Sequence, residues 1–138
     1  MKILILLITP FLLSAQTIKA NLLKVHDGDT IRVNLTCNIN ILCKNIPVRI
    51  AHIDTPELHG KCAIERAKAI EAKDKLKIML ENANDIEIRD IKRDKYFRIL
   101  GNVYANNMNV ADMLISEKLA VKYEGKTKKG WCEGWTIN

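Results

Sequence analysis

The hydrophobic pattern divides the chain into short runs separated by polar turns. Leu22-Leu23-Lys24-Val25-His26 and Ile31-Arg32-Val33-Asn34-Leu35 flank Asp27-Gly28-Asp29-Thr30, and Asp-Gly between two such runs predicts a β-hairpin. Residues 36–46, rich in Asn and holding two cysteines, are expected to form a loop or an irregular hairpin. Alternation from Val48 to Ile53 sets Val48, Ile50 and His52 on one face and Arg49, Ala51 and Ile53 on the other, so both faces of this strand are largely apolar. Residues 62–82 are rich in Ala, Lys and Glu and predict a helix, with Ile64, Ala67, Ile70, Leu76, Met79 and Leu80 as its apolar positions and Glu71 and Lys75 at helical spacing on a solvated face.

Farther along, Asp85–Ile91 reads as a strand, Lys92-Arg93-Asp94-Lys95 as a basic turn, and Tyr96–Tyr104 as another strand. Asn106-Asn107 makes a turn, Asn109 can cap a short helix through Val110, Met113 and Leu114, and Leu119–Tyr123 closes as a short strand. About five short strands, a helix after the third and a small second helix predict an α+β fold, a five-stranded barrel of the OB type. The chain has no internal repeat or linker, and its 138 residues suit one core.

Part of the 48% apolar content is set apart from that core. Met1-Lys2, the run Ile3–Ile8 and Phe11-Leu12-Leu13-Ser14-Ala15 have the short basic start and apolar stretch of a secretory signal peptide. Residues 1–20 are therefore expected to be removed, with cleavage after Ala15 or Ala20, leaving 21–138 as the mature domain in the periplasm or outside the cell. The run is short for a bilayer span, so no stable membrane insertion is expected after cleavage, although a retained N-terminal anchor is the alternative. Without residues 1–20, 20 basic face 16 acidic side chains, a net charge of +4. Such a balance is compatible with a polyanionic partner and does not establish one.

Four cysteines suit an oxidising compartment, and their spacing lacks the paired C-x-x-C of zinc knuckles. Of three connectivities, Cys37–Cys43 with Cys62–Cys132 is the simplest, the first stapling a loop and the second pinning the tail beside the helix start. Four free buried thiols are the alternative if the chain is not exported.

Candidate chemistry gathers at the end of the central strand. Arg49 lies among apolar residues, where a guanidinium needs an anion, either a protein carboxylate or a bound one. Pro56 keeps Thr55 out of the helical region, so Asp54 and Glu57 should lie on one stiff turn. Turn chemistry explains Asp27-Gly28 but gives no reason for a second acid at Asp29. His26 and His52 are expected in strands and His59 in a loop, and none is assigned to the site.

Asp27-Gly28-Asp29-Thr30, then Arg49 through Asp54-Thr55-Pro56-Glu57, then Asp94-Lys95-Tyr96-Phe97-Arg98 resemble, in order and spacing, the staphylococcal nuclease (thermonuclease-like) family. The resemblance spans roughly Leu22 to Tyr123. It implies hydrolysis of phosphodiesters in DNA and RNA with Ca2+, on an OB barrel and without sugar specificity. Asp29, Asp54 and the Thr55 carbonyl would correspond to the metal ligands, a donor set matching the hard-oxygen preference of Ca2+. Asp27 would be a turn residue or a supporting partner. Glu57 would be the general base, Arg49 and Arg98 the phosphate-binding arginines, Lys95 and Tyr96 neighbours of a phosphate, and Tyr123 an aromatic facing the nucleotide base.

Two departures stand out. Phe97 replaces the Gly of the best-known member, and the chain ends soon after Tyr123 without a long closing helix. The ending Tyr123-Glu124-Gly125-Lys126, followed by Trp131-Cys132, instead resembles short exported bacterial members, in which a Cys62–Cys132 bridge would be the clamp. Lys92, Arg93, Lys122, Lys126, Lys128 and Lys129 would add phosphate contacts or remain solvated. A catalytically inactive OB-fold nucleic-acid-binding module is the rival reading, although three acids facing a phosphate serve no binding purpose unless a metal and a water are held there. A structural surface protein on the same barrel would leave Arg49 and Arg98 without partners. A monomer is expected.

Overall fold

β1 (Thr17–Val25) and β2 (Thr30–Leu35) form the expected antiparallel hairpin, with Leu22 opposite Val33 and Val25 opposite Ile31. A computed structural model of the chain describes residues 16–96, 98–128 and 130–132. The apolar run through Ala15, Phe97, Lys129 and Trp135 lie outside the described residues. The Asp27–Asp29 turn needs no left-handed backbone. Gly28 is required there for room, because a Cβ would stand 2.8 Å from Thr55 Oγ1 and 2.9 Å from the Ala72 Cβ.

β3 (Ile46–Ile50) pairs antiparallel with β2, setting Thr30 opposite Arg49. The expected single strand through His52 is divided. Ala51 and His52 make a turn, with His52 at φ 66°, and β4 (Ile53–Asp54) continues on a different line. His52 is consequently exposed rather than directed along the face of Val48 and Ile50, and His26 lies just past the end of β1. β5 (Ile86–Arg93) and β6 (Ile99–Ala105) pair with each other, β5 also pairs with β1, and β6 runs parallel to β3. The order β3-β2-β1-β5-β6 with β6 returning to β3 closes a five-stranded barrel, the α+β OB fold.

β5 extends through Lys92 and Arg93, which the sequence assigned to a turn, and the turn instead holds Lys95 and Tyr96, which the sequence assigned in part to a strand. Asp90, at φ 53°, marks a bulge where the β5–β6 register shifts. Two-residue strands β7 (Met108–Asn109) and β8 (Val121–Lys122) pair with β6 and β4 respectively.

α1 (Ala63–Glu81) packs on the barrel through Leu76, Met79 and Leu80 as expected, but its first half turns a different face inward. Ile64, Ala67 and Ile70 are exposed, while Ala69, Ala72, Leu76 and Leu80 are buried. Small residues allow the helix to approach the Gly28 turn closely, and this contact outweighs the larger side chains on the outer face. Lys75 pairs with Glu117 at 2.5 Å rather than with Glu71. α2 (Val110–Ser116) begins as expected, with Asn109 Oδ1 accepting the Ala111 N–H at 2.9 Å.

The core joins Ile31, Val33, Val48, Ile50, Ile88 and Val103 of the barrel to Leu76, Leu80, Val110 and Leu114 of the helices. Fully burying such a side chain is worth about 1.5–3 kcal/mol, and a filled barrel leaves polar groups for its rim. Both expected disulfides are present, Cys37–Cys43 and Cys62–Cys132, and no described cysteine is free. β1 begins upstream of the expected domain start at 21: Ala20 is buried, and Lys19 pairs with Glu87 at 2.7 Å.

Candidate active site

The β2–β3 register brings the first charges together. Thr30 faces Arg49 across the ladder, and the Ile50 N–H donates to the Asp29 carbonyl at 2.8 Å, so Asp29 is fixed beside the guanidinium. Arg49 Nη1 ion-pairs with Asp29 Oδ1, Nη2 donates to the Ile53 carbonyl at 3.2 Å, and Nη2 stands 3.7 Å from Asp54 Oδ1. Thus the anion Arg49 requires is supplied by two aspartates. Burial pulls the Arg49 pKa down, but the facing Asp29 outweighs it and holds the group above its ordinary value. Asp27 keeps a turn role: its Oδ1 accepts the Asp29 N–H at 3.1 Å. Its pKa is raised by burial first and by repulsion from Asp29 second.

Asp54 and Thr55 are buried, 2% and 3% exposed, and neither lines the cleft that Arg49 and Glu57 line. β4 holds Asp54 in place opposite Val121 of β8. Asp54 Oδ1 accepts no hydrogen bond, although the Lys128 ammonium lies 2.8 Å away. The ammonium is close enough for an ion pair and lies off the hydrogen-bonding direction. A buried carboxylate oxygen left in this way is costly in an apolar setting and suits a cation that binds without hydrogen-bond geometry. Asp29 and Asp54, both buried beside Arg49, offer carboxylate oxygens of the kind a hard divalent ion takes. Among the described residues, the one cluster of three or more Cys, His, Asp or Glu ligand atoms within 4.8 Å is Cys62, Glu65 and Cys132. Glu57 accordingly does not close on Asp29 and Asp54 as a third tight ligand.

Glu57 follows Pro56 on an open turn and its side chain is 60% exposed. This turn depends on Glu65, a residue that the sequence reading missed. Buried in the first turn of α1, Glu65 accepts the Glu57 N–H at 3.4 Å through Oε1 and the Lys61 N–H at 3.0 Å through Oε2. Cys62 caps the same helix, its Sγ accepting the Glu65 N–H at 3.4 Å. The signal was an acid three residues after the cap, the spacing of a capping box with Cys in place of Ser or Thr.

Arg98 enters from the β5–β6 turn. Asp94 Oδ1 accepts the backbone N–H groups of Tyr96 at 2.8 Å and Arg98 at 2.9 Å, while Oδ2 accepts Arg98 Nε at 2.8 Å. Burial raises the Asp94 pKa, but these donors and the guanidinium charge outweigh it and hold the carboxyl below its ordinary value. Tyr96 is exposed in the turn rather than part of the expected strand. The Lys95 ammonium lies 5.0 Å and the Arg98 guanidinium 5.5 Å from its ring centre.

One cleft of about 630 Å³ collects Asp29, Arg49, Glu57, Lys95, Tyr96, Arg98 and Tyr123. His52 also lines it, with Nδ1 2.9 Å from Glu124 Oε1, whereas His59 does not. Among the basic residues offered for phosphate contacts, Lys92 lines the cleft, Lys122 and Lys126 are exposed outside its lining, and Lys128 sits on carboxylates. These charged walls around an open trough, with two arginines and an exposed carboxylate, have the groups needed to hold a phosphodiester and to accept a proton beside it.

A family model described as staphylococcal nuclease homologue matches residues 47–132. The SPbeta prophage-derived endonuclease YokF of Bacillus subtilis (strain 168) is 32% identical over 114 residues, covering 74% of this chain and 34% of that protein. An uncharacterized endonuclease of Escherichia coli is 30% identical over 111 residues, covering 78% of this chain and 62% of that protein. The chain therefore spans about a third to three fifths of the length of these curated relatives. Asp29 precedes the matched segment, and its ion pair with Arg49 ties it to the site.

Proposed function

The chain belongs to the staphylococcal nuclease homologues, and from that premise we propose that it is a Ca2+-dependent nuclease hydrolysing phosphodiester bonds in both DNA and RNA. The observation that carries the reading is one guanidinium joining two buried aspartates at the mouth of a cleft that also holds Glu57 and Arg98. Asp29, Asp54 and the Thr55 carbonyl would hold the ion. Bound there, Ca2+ supplies Lewis-acid polarisation of a phosphoryl oxygen.

The remaining work falls to the chain's own side chains. Glu57, exposed on a turn that Glu65 fixes, accepts a proton at its carboxylate from the attacking water. A guanidinium has five N–H donors, and Asp29 and the Ile53 carbonyl engage one on each terminal nitrogen of Arg49, leaving others for a phosphate oxygen. Arg98 offers a second fork, aimed by Asp94. Two planar donors on nonbridging oxygens stabilise the charge that builds at phosphorus in the five-coordinate transition state. Tyr96 and Tyr123 provide rings on which bases stack without sequence readout, consistent with action on either sugar.

Export forms part of the proposal. The apolar N-terminal run and the two disulfides suit passage into the periplasm or the medium. Processing after Ala15 leaves β1 whole, whereas processing after Ala20 would remove the segment from Thr17 that pairs with β5. Among the described residues no helix is long and apolar enough to cross a membrane. The proposed active species is a monomer.

Digestion of single-stranded DNA, duplex DNA and RNA by the processed protein, with Ca2+, Mg2+ or chelator, tests the reading. Cleavage of all three with Ca2+, lost with chelator and in both Glu57→Ala and Arg49→Ala, is the expected result. Binding of DNA with no cleavage under any metal would replace the nuclease with an OB-fold binding module.

A further inference from the structure

The tail after β8 crosses the cleft and returns to α1. It leaves Tyr123, whose N–H donates to the His52 carbonyl at 2.9 Å, and passes the Glu124–His52 pair and Gly125 at φ 82°. It is then anchored where Cys132 joins Cys62. Between these fixed points Lys128 reaches inward, its ammonium 2.8 Å from Asp54 Oδ1 and 2.9 Å from Glu57 Oε1.

We propose that Lys128 is a built-in competitor of the divalent ion, neutralising Asp54 and Glu57 in the metal-free protein and withdrawing when the metal binds. The inference rests on the assignment of Asp54 as a metal ligand made above. Three observations carry it. The ammonium lies on a buried carboxylate oxygen that accepts no hydrogen bond and on the carboxylate assigned as the base, so one side chain covers both groups that must be free for hydrolysis. The Lys128 side chain is itself 47% exposed, on a chain segment whose neighbours Lys126 and Thr127 are exposed, so it can swing into solvent without unpacking the core. The strap is covalently closed four residues later, so the amine stays near the site after it leaves. Without such a cation, buried Asp54 would share only Arg49 with Asp29 in the metal-free state, an expensive arrangement for two carboxylates.

Ca2+ binding measured by titration calorimetry on wild type, Lys128→Ala and Asp54→Asn, with no nucleic acid present, decides the matter. Lys128→Ala is expected to bind Ca2+ more tightly, on the order of three- to tenfold given that half-exposed ion pairs are individually weak, and to melt earlier than wild type when metal-free. Acylation of amines read by mass spectrometry should show the Lys128 amine slow to react without metal and faster with Ca2+. Equal or weaker Ca2+ binding by Lys128→Ala overturns the proposal, as does Lys128 reactivity indifferent to Ca2+. If Asp54→Asn abolishes binding while Lys128→Ala leaves it unchanged, this inference alone fails. If Asp54→Asn leaves binding unchanged, or wild type binds no Ca2+, the metal assignment fails and the inference with it.

Discussion

Arg49 and Arg98 would do similar work on a phosphate, yet the protein holds them in opposite ways. Arg49 is 15% exposed inside the barrel mouth and its partners Asp29 and Asp54 are more deeply buried still. Arg98 is 29% exposed on a rim turn, paired with Asp94 within the same five-residue segment. Arg49 is thus part of the fold's charge balance, because removing it strands the buried Asp29 carboxylate and leaves Asp54 with Lys128 alone. Arg98 is borne by a local hydrogen-bond scaffold that the barrel can lose. The contrast teaches that one catalytic requirement can be met by a group the fold depends on and by a group it merely carries, and the two should separate when stability and activity are measured together.

Arg49→Ala should break the comparison most severely. An uncompensated buried charge costs about 3–5 kcal/mol, so the metal-free variant should unfold at markedly lower denaturant while losing cleavage by at least several hundredfold. Glu57→Gln lies next, with cleavage falling roughly 10²–10⁴-fold and thermal stability close to wild type, since the side chain is exposed. Arg98→Ala should lose a few hundredfold in cleavage, about 3–4 kcal/mol of transition-state stabilisation. Its folding stability should change by less than about 1 kcal/mol, the range for a partly exposed pair. Equal destabilisation by the Arg49 and Arg98 variants in chemical denaturation would erase the proposed distinction.

The Cys62–Cys132 bridge sharpens the comparison from outside the charge cluster. Cys132→Ser should cost about 2–4 kcal/mol of stability, and because Cys62 caps the helix that carries Glu65, it should also slow cleavage through a loosened Glu57 turn. The smallest effect belongs to Asp94→Asn. The native Asp94 carboxyl titrates below its unfolded value, near 3.9, so its contribution is complete above that value and lost as pH falls through the depressed native one. Melting curves from pH 7 to pH 2 should show wild type above the variant at neutral pH and the difference shrinking in acid.

Much of this was legible in the sequence because it is local. The Asp27–Thr30 turn, the Asp54–Glu57 corner and the Asp94–Arg98 turn each hold their residues within five positions, and turn chemistry together with a family resemblance locates them. The Asn109 cap and both disulfides were also anticipated. What escaped depends on contacts between distant parts of the chain. Lys128 meets Asp54 and Glu57 across more than seventy positions, and His52 meets Glu124 across 72. Nothing in either neighbourhood announces the other. The break at His52 escaped because alternation is blind to a left-handed residue inside an apolar run. The buried face of the first half of α1 escaped because Ala69 and Ala72 contribute closeness rather than bulk, and hydrophobic pattern weighs bulk.

The proposed nuclease must cut what this cleft binds. Cleavage rate and binding affinity for a single fluorescent oligonucleotide, measured in Ca2+ on wild type and Glu57→Gln side by side, test it most directly. The variant should bind within a few fold of wild type and cut at least a hundredfold more slowly. Wild type that binds without cutting, or a variant that cuts as fast as wild type, would contradict it.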